Sequence, residues 1–158
     1  MELKFLVDEN CLQLAKWLRF YGLDAIDARD LSTLNASDKA IRDDRILITR
    51  NQELWHMHPG QVICLYTNDL REQIKAVFEK LELPDESQWF SRCVLCNQTL
   101  EPLPADEVKD ELRIPKRIKE NKKEFWRCPN CRRLYWEGSH FDRTQGFLKE
   151  IAKELHSP

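Results

Sequence analysis

Along the first eighty positions the apolar residues come in short bursts between polar punctuation, and the period of each burst predicts its element. Residues 3–7 read as a short buried strand. Cys11, Leu14, Ala15 and Leu18 then recur at helical spacing, predicting a helix capped by Asn10, running to about Tyr21 and stopped by Gly22. Lys16 and Arg19 lie three apart on another face of it. Residues 25–28 predict a weak second strand, and Ser37 opens a short helix through Ala40 and Ile41. Residues 45–49 (RILIT) and 62–66 (VICLY) are β-branched runs that predict strands three and four. Asp69 opens a further helix, with Glu72 three residues on as a capping box and Leu70, Ile74, Val77, Phe78 and Leu81 as its buried stripe.

This alternation argues for an α/β fold, a parallel sheet covered by helices on both faces. Pro84 and the polar residues after it break the pattern, which divides the chain into residues 1–83 and residues 84–158. At 158 residues there is room for one ordinary domain and one small one. The second part carries a Pro-containing insertion and a final helix over residues 145–155. Phe147, Leu148, Ile151, Ala152 and Leu155 give that helix an apolar face that packs back on the core.

So small a second module needs a staple, and its cysteines offer one. Cys93/Cys96 and Cys128/Cys131 form two Cys-x-x-Cys pairs. Each two-residue gap turns both thiolates onto one ion, and two pairs close the tetrahedral shell of a structural zinc. No ligand position remains for a reactive water. The alternatives are two disulfides or four free thiols. Disulfides need an oxidising compartment. The N-terminus shows no signal peptide, because its apolar run breaks at Asp8. Cys11 and Cys64 are left over as buried thiols, in keeping with a reduced, cytoplasmic protein. No apolar stretch approaches membrane-spanning length.

The overall charge of −2 points to no partner, but its distribution does. Residues 113–133 carry nine basic side chains against Glu120 and Glu124, a local +7 that attracts phosphates. Phe125 and Trp126 lie inside this run and Tyr135 and Trp136 just beyond it. They serve either as stacking surfaces for bases or as the only core of the small module.

In open α/β sheets, ligands bind beyond the C-terminal ends of the strands. Asp8 and Glu9 end strand one, Asp38 lies in the first turn of the helix before strand three, and Asn51 follows Thr49 and Arg50. Carboxylates gathered there suit Mg²⁺ or Mn²⁺, ions that activate water against phosphodiesters. On composition alone, helix capping is the simpler reading of Asp8 and Asp38.

Residues 5–25 (FLVDENCLQLAKWLRFYGLDA), 37–51 (SDKAIRDDRILITRN), 92–97 (RCVLCN) and 128–140 (CPNCRRLYWEGSH) together resemble the Mut-seven C-terminal RNase family, in which a PIN-like nuclease domain is joined to a zinc ribbon. The resemblance covers nearly the whole chain. It implies that Asp8 and Asp38 hold Mg²⁺ or Mn²⁺ for RNA hydrolysis. The third acidic position falls on Asn51, where the family's usual residue is Asp. An amide ligates without charge, which weakens a divalent site. The expectation is a metal-dependent ribonuclease weakened at Asn51, or a non-catalytic RNA-binding protein using the same surface. Asp30, Asp43, Asp44 and Glu53 are candidate substitutes, although Asp43 and Asp44 also read as a solvated helix end with Arg42 and Arg45. Candidate RNA contacts are Lys16, Arg19, Arg50, Lys116, Arg117, Lys122, Lys123, Trp136 and His140. His140 reads equally as a structural histidine. His56 and His58 read as surface residues, and Trp17 and Trp55 as core or rim.

Overall fold

Four parallel strands in the order β2-β1-β3-β4 form the central sheet of the computed structural model, which describes residues 2–54 and 60–157. The strands are β1 (Lys4–Val7), β2 (Asp24–Asp27), β3 (Ile46–Thr49) and β4 (Val62–Cys64). Alternate residues supply opposite faces, as the pleat requires. Phe5, Val7, Ile48 and Ile63 point to a core shared with α1 (Gln13–Phe20) and α3 (Leu70–Lys80). Leu6, Leu47, Val62 and Cys64 point to a second core, with Ala36 and Ala40 of α2 (Thr33–Arg42). Both faces are covered, which is why the strands read as continuous apolar runs.

Several boundaries differ from the sequence expectation. Helix α2 starts at Thr33 with Ser32 as its cap, so Asp38 lies in its middle and not in its first turn. Asn10 does not cap α1. Asp8 caps a 3-10 turn over Glu9–Cys11, and α1 follows without a side-chain cap. Arg45 does not join a solvated helix end. It donates to Asp24 at 2.8 Å and to the Phe5 carbonyl at 3.1 Å, while Asp43 pairs with Lys39 and Arg42. Asp69 does accept from the Glu72 amide, as the capping box predicts. Trp17 packs at the core rim on Phe20 and Phe147. Trp55, His56 and His58 lie outside the described residues.

A three-stranded antiparallel ribbon follows, β5 (Glu101–Pro102), β6 (Trp126–Arg127) and β7 (Leu134–Tyr135). The insertion is not plain loop. Pro104 and Pro115 start two short helices, α4 (Ala105–Asp110) and α5 (Lys116–Asn121), as proline does where no amide donor is needed. Each gives one apolar residue, Val108 or Ile118, to a small core of Leu103, Ile114 and Phe125.

The chain then returns to its beginning. Helix α6 (Ser139–His156) is longer than its apolar stripe predicts and sets Leu148 and Ile151, both fully buried, into the first core. The Tyr21 hydroxyl donates to the Leu148 carbonyl at 3.0 Å. No helix among the described residues is long and apolar enough to cross a membrane.

The ribbon is bolted to the edge of β2. Asn97 accepts from the Ala25 amide at 2.9 Å and donates to Asp24 at 2.6 Å, continuing the sheet's pairing with a side chain. Arg92 donates to the carbonyls of Gly22 and Asn97. Gly22 has φ +86, and a Cβ there would lie 2.2 Å from the Gln88 carbonyl oxygen, so glycine is required by conformation and by space.

Candidate functional site

The two cysteine pairs occupy matching turns. The Cys96 amide points at the Cys93 sulfur and the Cys131 amide at the Cys128 sulfur. Asn97 and Arg132, each just after a pair, adopt φ +66 and +68. The amides of these residues bond back to the carbonyls of Cys93 and Cys128. All four thiol sulfurs lie within 4.8 Å of one another, and Cys93 and Cys131 are 3.7 Å apart. A tetrahedron with Zn–S bonds of about 2.3 Å has edges of about 3.8 Å, so the residues fit one zinc-sized ion. Burial pushes the Cys93 thiol up. Hydrogen bonds from the Tyr135 hydroxyl at 3.1 Å and from backbone amides outweigh it and bring the group to about 7, which favours the ligating thiolate. Asn130 donates to the Cys96 sulfur at 3.3 Å. Among the described residues this is the one group of three or more His, Cys, Asp or Glu that can hold a metal.

The acidic end is organised differently. Asp8 ends β1 with no exposed surface. Its Oδ1 accepts from the Glu9 amide at 2.8 Å, and its Oδ2 accepts from the Thr49 hydroxyl at 2.6 Å and from Asn10 at 3.3 Å. Thr49 Oγ1 in turn accepts from the Asn51 amide at 3.0 Å, and Asn10 accepts from the Arg50 amide at 3.1 Å. The structure thus joins Asp8 and Asn51 through Thr49 at the C-terminal edge of the sheet. The Asn51 side-chain carbonyl is engaged by the Glu53 amide at 3.1 Å. Asp38 is exposed on α2, and its side chain makes no hydrogen bond or ion pair with any described residue. Asp30, Asp44 and Glu53 are exposed as well. In donor type Asp8 and Asn51 fit a hard divalent cation. In number they fall short, because Asp8 is the one carboxylate of the pair and no group of three His, Cys, Asp or Glu forms around it among the described residues. Cys11, beside them, donates to the Ile48 carbonyl, and burial, followed by the Asp8 charge, pushes its thiol up to about 12, so it is inert.

The basic run does not act as one surface. Arg127 is paired with Glu101 and Glu107, and Arg113 with Glu111, so two of the nine cations are met by acids outside the run. Arg19 is 7 % exposed. Its guanidinium donates to the Ala25 and Val94 carbonyls, both at 2.7 Å, and sits 3.6 Å from Asp27, so it is a strut between helix, sheet and ribbon and not a solvent-facing contact. Lys16, Arg50, Lys116, Arg117, Lys123 and His140 are exposed, and Lys122 is half-buried.

Lys16, Arg117, Trp136 and His140 converge on one groove of about 840 Å³ between α1, the ribbon and the start of α6. Lys116, Lys122 and Lys123 do not line it. Arg133, Phe90 and Phe141 do, and sequence reasoning passed over all three as contacts. The only trace of Arg133 was its membership of the basic run, and nothing in the sequence marked the two phenylalanines. Thr49 was likewise missed as a functional residue. Its signal was a polar residue ending an apolar strand two positions before Asn51.

No curated protein and no solved structure matches the chain. The family described as the Mut7-C RNAse domain matches residues 3–148, nearly the whole sequence, including both cysteine pairs and the Asp8, Asp38 and Asn51 positions. The chain belongs to the Mut7-C RNAse domain family.

Proposed function

We propose that this chain is a metal-dependent ribonuclease of reduced activity, acting on RNA at the C-terminal edge of its parallel sheet, with a structural zinc in the ribbon. The observation that carries the reading is the position of Asp8. Its carboxylate ends a central strand and is tied through Thr49 to Asn51, where the family resemblance implies an acid. A Mg²⁺ or Mn²⁺ ion at Asp8 would supply an activated water. Asp38 would complete or orient that site, and Asn51 would be its neutral member. Lys16 and Arg50 are exposed cations, Arg50 directly after β3, and Arg117, Trp136 and His140 line the groove that Lys16 also lines.

A second reading rests on a specific observation. Asp8 is fully buried with both oxygens hydrogen-bonded, and Asn51 brings no charge; on this reading the site cannot serve hydrolysis and the protein binds RNA without cutting it. The test assays single-stranded RNA with Mn²⁺, comparing wild type, Asn51→Asp and Asp8→Asn. The ribonuclease reading expects weak wild-type cleavage, more from Asn51→Asp, and none from Asp8→Asn. If neither wild type nor Asn51→Asp cuts while both bind, the second reading replaces the first.

A further inference from the structure

The groove at the ribbon does not stand alone. A second cleft of about 500 Å³ opens beside it, lined by Leu12 and Gln13 at the start of α1, Asp27 and Arg29 at the end of β2, and Leu95 at the tip of the first cysteine turn. Lys16 and Val94 line both spaces. Leu12 directly follows the turn that Asp8 caps. Groove and cleft therefore form one path, from the ribbon, past a waist at Lys16 and Val94, to the C-terminal end of the sheet.

The chemistry changes along that path. The ribbon end is aromatic, with Phe90, Trp126, Tyr135 and Trp136 as wall and Arg117 and Arg133 as cations. The cleft end has no aromatic wall: it offers Lys16 and Arg29, the latter 3.7 Å from Asp27, beside the aliphatic Leu12, Ala15, Val94 and Leu95. Aromatic walls hold bases by stacking, and cations track the phosphates. In a duplex the base faces already stack on one another, so such walls select unpaired nucleotides.

We infer that the path is a track for single-stranded RNA, with bases seated in the ribbon groove and the backbone passing Lys16 into the cleft. This deepens the ribonuclease reading and rests on it for the choice of RNA. The zinc ribbon is then part of the substrate surface, and the strand approaches the acidic end from the α1–β2 side.

The experiment measures fluorescence anisotropy of a labelled oligouridylate on zinc-loaded protein without added Mg²⁺ or Mn²⁺, so that cleavage plays no part. Arg133→Glu probes the groove alone, Arg29→Glu the cleft alone, and Lys16→Glu the waist. Each lost phosphate contact should weaken a long strand by about an order of magnitude at low salt and lower the salt slope by about 0.7. Lys123→Glu makes the same charge change off the path and should weaken binding far less. A strand too short to span the path should be sensitive to Arg133→Glu or to Arg29→Glu, but not to both. The same strand annealed to oligoadenylate should bind more weakly than it does alone. Equal losses from Lys123→Glu and Arg133→Glu, or equal affinity for duplex, would overturn the track. If the variants behave as expected but no protein cleaves RNA, the ribonuclease reading fails and the track stands. Cleavage by wild type with unaltered binding in all three path variants sinks the track alone.

Discussion

Asn97 joins the two parts of the molecule, and replacing it with alanine should show how much that junction contributes. The substitution strands the buried Ala25 amide, which costs about 1–3 kcal/mol, and removes a hydrogen bond to the charged Asp24, worth about 1.5–3 kcal/mol. It also puts alanine, which lacks asparagine's tolerance of the left-handed region, at φ +66, at about 1–2 kcal/mol. Even the low ends sum to about 3.5 kcal/mol, a large part of a typical domain's total stability. Urea denaturation at fixed zinc should show the midpoint falling by about 2 M with an unchanged slope. Elemental analysis should show the zinc retained, since the sulfur ligands are untouched. Asn97→Asp is the informative companion. It keeps an acceptor for Ala25 but sets a second carboxylate against Asp24. Its loss should shrink as the pH falls through the carboxylate range, and by more than the loss in the alanine variant, which narrows only by the share of the Asn97–Asp24 bond that protonation removes from wild type. A midpoint shift under about 0.5 M for Asn97→Ala would refute the assignment of the junction to this side chain.

Other expectations can be checked on the same protein. Cys128→Ser should abolish metal retention, remove on the order of 10 kcal/mol of stabilisation from the ribbon and leave much of the helical signal of the parallel sheet; metal-free but fully folded wild type would contradict this. Leu148→Ala should lower stability by about 2–5 kcal/mol in thermal denaturation, because the side chain is fully buried in the first core; a wild-type melting point would mean that α6 does not complete that core. Burial raises the Asp24 carboxyl, but hydrogen bonds from Arg45 and Asn97 outweigh it and hold the group below its usual range. A depressed folded value means that this stabilisation is full above the unfolded pKa of about 3.9 and is lost as pH falls through the folded one. Urea midpoints followed into acid should therefore fall less steeply in Asp24→Asn than in wild type.

The strands were legible because both faces are covered, so Phe5, Leu6 and Val7 are all buried and the run is unbroken. The start of α2 was not, because Leu34 is 62 % exposed and the helix seats itself with small Ala36 and Ala40, which carry little periodic signal. The first turns of α6 were missed for a related reason: several of their residues face the groove and not the core. The metal centre could be read from spacing alone, since the turn geometry is local. Arg19 could not. An arginine on a helix face reads as a solvent cation, and its carbonyl partners at Ala25 and Val94 leave no mark in the sequence. Arg127 misled in the same way, because its partners Glu101 and Glu107 lie well before the basic run of residues 113–133.

The return of α6 has a consequence for how the protein is made. Synthesis is vectorial, and domains generally fold as they emerge from the ribosome. Here the first core waits for Leu148 and Ile151, so the sheet and its early helices emerge with one flank still bare. The ribbon is translated in between, and its cysteines can capture their ion before the sheet is sealed. The last helix would then act as a latch that closes after a metal is in place. A nascent chain arrested ahead of residue 148 would leave the apolar sides of α1 and α3 exposed to chaperones and proteases.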